Sequence, residues 1–189
     1  MSYIVFDVET TGLPKNNNIS PKQYKKWPYI VQFSWIYVDS KYNKEEKSFI
    51  IKPNNYVIPQ ESINIHRITN KLANSSGIDI KEVIHYFITD CKKTNMLVAH
   101  NAQFDVYVIL AACYRNNIPT AFIRNKRIIC TMKCTTNICK IKGRYGKYKY
   151  PRLEELYTFL FGKVPNVKLH NALEDARITQ ICYEKLTRK

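Results

Sequence analysis

Apolar positions along this chain follow two rhythms, and the first is the two-residue period of a strand. "SYIVFDVE", residues 2–9, alternates around an apolar core and stops at the turn "TTGLP". Residues 15–29 are polar, contain two prolines and read as a long loop. "IVQFSWIYVD" (30–39) and "EEKSFIIKP" (45–53) then give two further strands, joined as a hairpin at "SKYNK". The second rhythm is helical: Ile80, Val83, Ile84, Phe87, Ile88 and Cys91 fall on one face of a helix over 80–91. "MLVAH" (96–100) is a short buried strand that runs into the helix "QFDVYVILAACYRNN", and "RIIC" (127–130) is a second short strand. A basic stretch, the helix "RLEELYTFLFG" closed by Gly162, and a last helix from about Ala172 to the C-terminus complete the chain. The order predicts an α/β fold: a mixed β-sheet of three N-terminal strands plus two short strands, flanked by helices, in one domain over 1–189.

Within this pattern three acidic loci sit at the ends or edges of elements. Asp7 and Glu9 lie two apart in a strand, so they share a face while Phe6 and Val8 point to the other. Two carboxylates about 7 Å apart on one strand face repel each other, and a hard divalent cation resolves the conflict. In "HNAQFD", Asn101 is placed to cap the following helix and Asp105 falls in its first turn. "HNALEDA" repeats the arrangement: Asn171 caps, Glu174 completes a capping box, and Asp175 lies in the first turn. Each such carboxylate meets the positive end of a helix dipole, worth roughly 0.3–1 kcal/mol to its charged form.

Charge widens the picture. Thirty Lys and Arg against 15 Asp and Glu leave +15, which favours a polyanionic partner, nucleic acid first. An AT-rich coding sequence would also enrich Lys, Asn and Ile, so charge alone does not choose. No apolar run reaches the roughly 18 residues of a membrane span. The acidic N-terminus does not resemble a signal peptide, so no membrane partner and an intracellular location are expected. Six cysteines without a CxxC pair or a nearby His read as free thiols rather than a zinc site, with Cys113 and Cys182 in the core.

"FDVETTG", "AHNAQFD" and "HNALEDA" together resemble the three motifs of the DEDDh exonucleases, the ribonuclease H-like family that includes the proofreading epsilon subunit of bacterial DNA polymerase III, ribonuclease T, oligoribonuclease and the three-prime repair exonucleases. All five signature residues are present in order, from Asp7 to Asp175. "INIHRIT" (63–69) resembles the family's I-H-G-I-T segment, with Arg67 where glycine is usual, and "CTM" (130–132) resembles another family segment. The resemblance implies a ribonuclease H-like sheet and two divalent cations, Mg²⁺ with Mn²⁺ able to substitute, held by Asp7, Glu9, Asp105 and Asp175. One ion would activate the attacking water and the other would stabilise the leaving 3′-oxygen. It also implies that His170 is the general base. His100 is expected to be a packed or hydrogen-bonded neighbour. The backbone of Thr10, Thr11 and Gly12 would approach the terminal nucleotide, with Ile65, His66, Asn101 and Phe104 around it. Phe104 has an alternative as a core anchor.

"KCTTNICKIKGRYGKYKYPR" (133–152) alternates cations, Arg144 and Lys147 among them, with tyrosines around glycines. That composition suits an electrostatic track for a single strand. "PKQYKKW" (21–27) has a weaker version and is expected to border the same cleft. The function these readings imply is metal-dependent 3′-to-5′ hydrolysis of DNA ends to nucleoside 5′-monophosphates, with RNA as the alternative polymer. A catalytically inactive nucleic-acid-binding module would have lost a ligand or the His, and none is missing. The chain ends 14 residues after Asp175, which points to a self-standing trimming enzyme rather than a proofreading subunit. Several relatives are homodimers, but no surface stripe in this sequence supports that inference.

Overall fold

The computed structural model describes residues 1–16, 19–167 and 169–187. Strands β1 (Tyr3–Thr10), β2 (Ile30–Val38) and β3 (Lys44–Ile50) form an antiparallel meander, and β4 (Met96–Ala99) and β5 (Arg127–Cys130) extend it parallel to β1. The sheet order is β3-β2-β1-β4-β5, which puts β1 in the middle. Helices α3 (Ile80–Cys91) and α4 (Ala102–Arg115) bring apolar residues to one face of the sheet. The long helix α8 (Ala172–Thr187) lies along the other, backed by α7 (Leu153–Phe161).

Burial on both faces explains why β1 reads as an almost continuous apolar run. Ile4, Phe6 and Val8 share a core with Val83, Ile84 and Phe87 of α3 and Val108 and Ile109 of α4. Tyr3 and Val5 pack on the opposite side with Ala176 and Tyr183 of α8. Asp7 and Glu9 continue that second face toward the strand's carboxyl end. A one-residue slip would turn both acids into the apolar core beneath α3, where unpaired carboxylates are very costly, so register and site are fixed together. Trp35, fully buried in β2, is held by a 2.8 Å hydrogen bond from its Nε1 to Asp90 at the end of α3.

The strands and the four long helices lie close to where periodicity places them; Arg188 and Lys189, included in the expected last helix, lie outside the described residues. Among the described residues, the helices α1 (Gln60–His66), α2 (Asn70–Ser76), α5 (Ala121–Arg124) and α6 (Thr131–Cys139) do not follow from the pattern. The first two are seven residues each, too short for an apolar repeat to show. The basic stretch is corrected in its first part: residues 131–139 are helical, a helix that periodicity does not reveal because it buries Thr131 and Thr135 rather than a stripe of large apolar side chains. The long loop before β2 contains a 3₁₀ turn at Tyr24–Lys26, and its expected residues Asn17 and Asn18 lie outside the described residues. Arg115 of α4 ties it down, donating from Nη2 to the carbonyls of Tyr24 (2.7 Å) and Trp27 (3.1 Å).

Candidate active site

The carboxyl end of β1 meets the first turns of α4 and α8, and this junction gathers the acids. Asp7 and Glu9 come from the strand, Asp105 from α4 and Asp175 from α8. Asp105 is buried, Asp175 is 9% exposed, and the two strand acids are half-buried. Ligand atoms of Glu9, His170 and Asp175 all lie within 4.8 Å of one another.

Electrostatics at the junction is unfavourable to four carboxylates alone. Burial, with Asp105, Asp175 and Glu9 adding like charge, holds Asp7 well above the usual carboxylate range. Burial does the same to Asp105, although its own backbone N–H and that of Val8 pull the other way. Glu9 is pushed up to about 8 by burial and by Asp175. Asp175 rises to about 6 by burial, opposed by the His170 N–H that donates to its Oδ2 at 3.0 Å. The other oxygen of Asp175, Oδ1, is buried with no hydrogen-bond partner among the described residues. An all-oxygen donor set with an open buried lone pair and raised carboxylate pKa values fits a hard divalent cation, which supplies the missing positive charge.

The two helix starts differ in detail. Asn171 caps α8: its Oδ1 accepts from Leu173 N (3.1 Å) and Glu174 N (3.4 Å). The Glu174 carboxylate ion-pairs with Arg177, so the expected capping box forms only by half. Asn101 is corrected more fully: it precedes α4 in a left-handed conformation (φ 69°) and its side chain makes no cap hydrogen bond. His170 is also left-handed, at φ 68°, and this turn sets its imidazole over Glu9 and Asp175. His100 is a structural tie: Nδ1 meets Thr131 Oγ1 at 2.9 Å and Nε2 meets the Pro151 carbonyl at 3.0 Å, while burial lowers it to about 4.

Two grooves open beside the acids. One, of about 460 Å³, is lined by Leu13, Trp27, Asn101, Phe104, Lys133 and Tyr150, so the 21–27 segment does reach it through Trp27. Phe104 is half-buried against Trp27, ring centroids 6.4 Å apart, and serves both the core and the groove wall. The other, of about 640 Å³, runs between Ile65, His66 and Arg67 on one side and His170, Asn171 and Glu174 on the other. Ile65 is half exposed and His66 is buried, with Nδ1 accepting from Ile68 N at 3.1 Å. Its Nε2 makes no bond of good geometry, although the Thr10 carbonyl lies close enough to oppose the lowering effect of burial on its pKa. Thr10 Oγ1 donates to the Gly12 carbonyl at 2.6 Å, and Thr11 Oγ1 accepts from Tyr29 N, which shapes the turn around Gly12 at φ 139°. Arg67 caps α1 at φ 66°, the left-handed conformation in which glycine carries no penalty. Arg144 and Lys147 are exposed on a small hairpin, bridged Lys142 to Tyr148, whose base leads to Tyr150 in the first groove; the structure does not bring them to the acids.

Sequence reasoning missed Gln32 and Ser48 on the floor of the second groove. Gln32 Oε1 accepts from Ala172 N, the first N–H of α8, at 3.1 Å, and its Nε2 donates to Ser48 Oγ at 3.1 Å. Gln32 and Ser34 interrupt the apolar run of β2, which marks a polar face but not a partner 140 residues away.

A family profile described as exonuclease matches residues 4–183. The PolC-type DNA polymerase III of Clostridium perfringens is 28% identical over 184 residues, covering 94% of this chain and 10% of that protein. Its Streptococcus agalactiae counterpart is 30% identical over 149 residues, 77% of this chain and 9% of the relative. The chain thus spans about a tenth of the curated relatives it matches. Among solved structures, E. coli exonuclease I in complex with a dT13 oligonucleotide superposes with a TM-score of 0.75 at 23% identity, covering 98% of this chain and 40% of that one. The zinc ion bound form of an E. coli exonuclease I–ssDNA complex gives 0.73 at 21% identity, with coverage of 98% and 40%. These likenesses show the same fold, a helix-flanked mixed sheet.

Proposed function

This chain belongs to the exonuclease family, and from that premise we propose that it is a metal-dependent nuclease that removes nucleotides from the 3′ end of DNA. The observation that carries the reading is the convergence of Asp7, Glu9, Asp105 and Asp175, with His170 beside them, at one end of β1. The four carboxylates would hold two divalent cations, Mg²⁺ or Mn²⁺, which supply activation of water and stabilisation of the departing 3′-oxygen. His170 lies beside Glu9 and Asp175 on a left-handed turn, which supports a role for its imidazole in taking the proton of the attacking water. The product is a nucleoside 5′-monophosphate and a chain shortened by one residue with a free 3′-hydroxyl.

The remaining expected contacts surround that centre. Thr10, Thr11 and Gly12 present backbone at the open end of β1, where the glycine lets a sugar approach closely. His66 and Ile65 line one of the two grooves, Asn101 and Phe104 the other. Arg144 and Lys147, with the tyrosines beside them, guide the strand as it leaves the groove at Tyr150. The identity of the polymer rests on the relatives: the PolC-type proteins are DNA polymerases and the exonuclease I structures hold DNA oligonucleotides, which supports DNA for this chain.

The test incubates the protein with Mg²⁺ and 5′-labelled single-stranded DNA, duplex DNA and RNA, beside Asp7→Ala. Stepwise shortening of DNA from the 3′ end, lost in the variant, supports the reading. Endonucleolytic products, or equal activity in the variant, would contradict it. Faster shortening of RNA would reassign the substrate and leave the chemistry standing.

A further inference from the structure

On the exonuclease reading above, we propose that Gln32 is a positioning residue that sets the height of the His170–Asp175 segment over Glu9 and so determines how tightly the site holds metal. Gln32 is the register partner of Glu9 across the β1–β2 pair, so the two side chains stand next to each other on the face that α8 covers. Its Oε1 takes the N–H of Ala172, a bond that joins residues 140 apart in sequence. The other free N–H groups of that first turn are already satisfied within the segment. Leu173 and Glu174 donate to the Asn171 side chain, and Asp175 N donates to the Asn171 carbonyl at 2.9 Å. The Ala172 N–H is therefore the one in this turn that leaves the helix and fastens it to the sheet.

The far end of the amide is fixed too. Nε2 donates to Ser48 Oγ, which lies 2.8 Å from Ser34 Oγ, and Ser34 is the register partner of Asp7. Gln32, Ser34 and Ser48 thus form a neutral hydrogen-bonded row alongside the two strand acids. A glutamine suits this place because it accepts from the helix without adding a fifth carboxylate beside Glu9. An apolar side chain of the same length would leave the buried Ala172 N–H without a partner. The helix start would then have to rise or tilt. His170, two residues before Ala172, and Asp175, three after it, would move with it.

The experiment compares wild type, Gln32→Met and Ser48→Ala, with Val83→Ala as a control whose loss lies in the core on the opposite face of the sheet. The primary readout is the midpoint of a Mn²⁺ binding titration followed by calorimetry, measured without substrate. The second is the KM and kcat for single-stranded DNA. Gln32→Met should raise the Mn²⁺ midpoint about tenfold, as the loss of a residue that orients metal ligands does. It should lower kcat while KM for DNA stays within about twofold, because no contact to the polymer is removed. Ser48→Ala should move the Mn²⁺ midpoint in the same direction by a smaller factor. Val83→Ala should lower the melting temperature and leave the midpoint unchanged. An unchanged midpoint in Gln32→Met, or an equal rise in Val83→Ala, overturns the proposal. If Gln32→Met does not fold, an unchanged midpoint in Ser48→Ala overturns it. A wild type that binds Mn²⁺ yet leaves DNA intact refutes the exonuclease reading, while the midpoints still judge Gln32. A wild type indifferent to Mn²⁺ removes the metal site and the proposal with it.

Discussion

Replacing Glu9 by glutamine should stabilise the metal-free protein at pH 8, the opposite of what removing a partly buried charged residue usually does. In the fold Glu9 is pushed from an ordinary 4.5 up to about 8. The folded state therefore binds a proton more tightly than the unfolded chain. Stability from this group is fully present below pH 4.5 and is lost as pH rises toward 8, since ν_N exceeds ν_U across that window. Each pH unit is worth about 1.4 kcal/mol, so the ceiling is about 5 kcal/mol by pH 8. Water entering the cleft and relaxation of the acid reduce this to about 2–4 kcal/mol. For a chain of this length that is a rise of roughly 6–12 °C in melting temperature for Glu9→Gln at pH 8, and only about 1 °C at pH 4.5. The assay is thermal melting of both proteins in a chelating buffer across pH 4.5–8. Excess Mn²⁺ should then narrow the difference, because the wild type gains about 2.7 kcal/mol at a hundredfold excess over Kd and the variant gains less. A Glu9→Gln protein that melts below the wild type at pH 8 without metal would refute this electrostatic account.

Other outcomes follow from particular contacts. Arg67→Gly relieves a left-handed non-glycine residue and should raise stability by about 1 kcal/mol in urea denaturation, with kcat unchanged; a loss of stability would show that the guanidinium makes a compensating contact. Trp35→Phe removes the buried donor to Asp90 and should cost about 1–3 kcal/mol, read as a lower denaturation midpoint at constant m-value. The double change Arg144→Ala, Lys147→Ala should raise KM for single-stranded DNA and lower the dependence of log KM on log salt by about 1.4, two phosphate contacts at roughly 0.7 each, with kcat preserved.

The fold and the acidic centre were legible in the chain because both rest on local signals. β1 announces itself as an apolar run bounded by a turn, and its two acids share a face because side chains alternate along a strand. Asp105 and Asp175 are visible as acids in first turns, each following an asparagine by four residues. What that spacing concealed is that the asparagines do different things. Asn171 caps with its side chain, whereas Asn101 spends its tolerance of positive φ on a sharp turn. Arg67 looked like a departure from pattern, and its backbone shows the physical reason glycine suits the place. Helix α6 was hidden because it is nine residues long and buries threonines rather than large apolar side chains. Gln32 was hidden because its partner lies 140 residues away, and no local pattern marks such a pairing.

Carboxylates at the end of β1 that form a two-ion centre should bind two Mn²⁺ ions together. Titration of Mn²⁺ into the protein with a nonhydrolysable single-stranded DNA end, followed by calorimetry and by electron paramagnetic resonance, tests this directly. Two bound ions per chain with a spin-coupled signal are expected, with loss of at least one ion together with the coupling in Asp7→Asn. One uncoupled ion, or two ions that Asp7→Asn leaves in place, would contradict it.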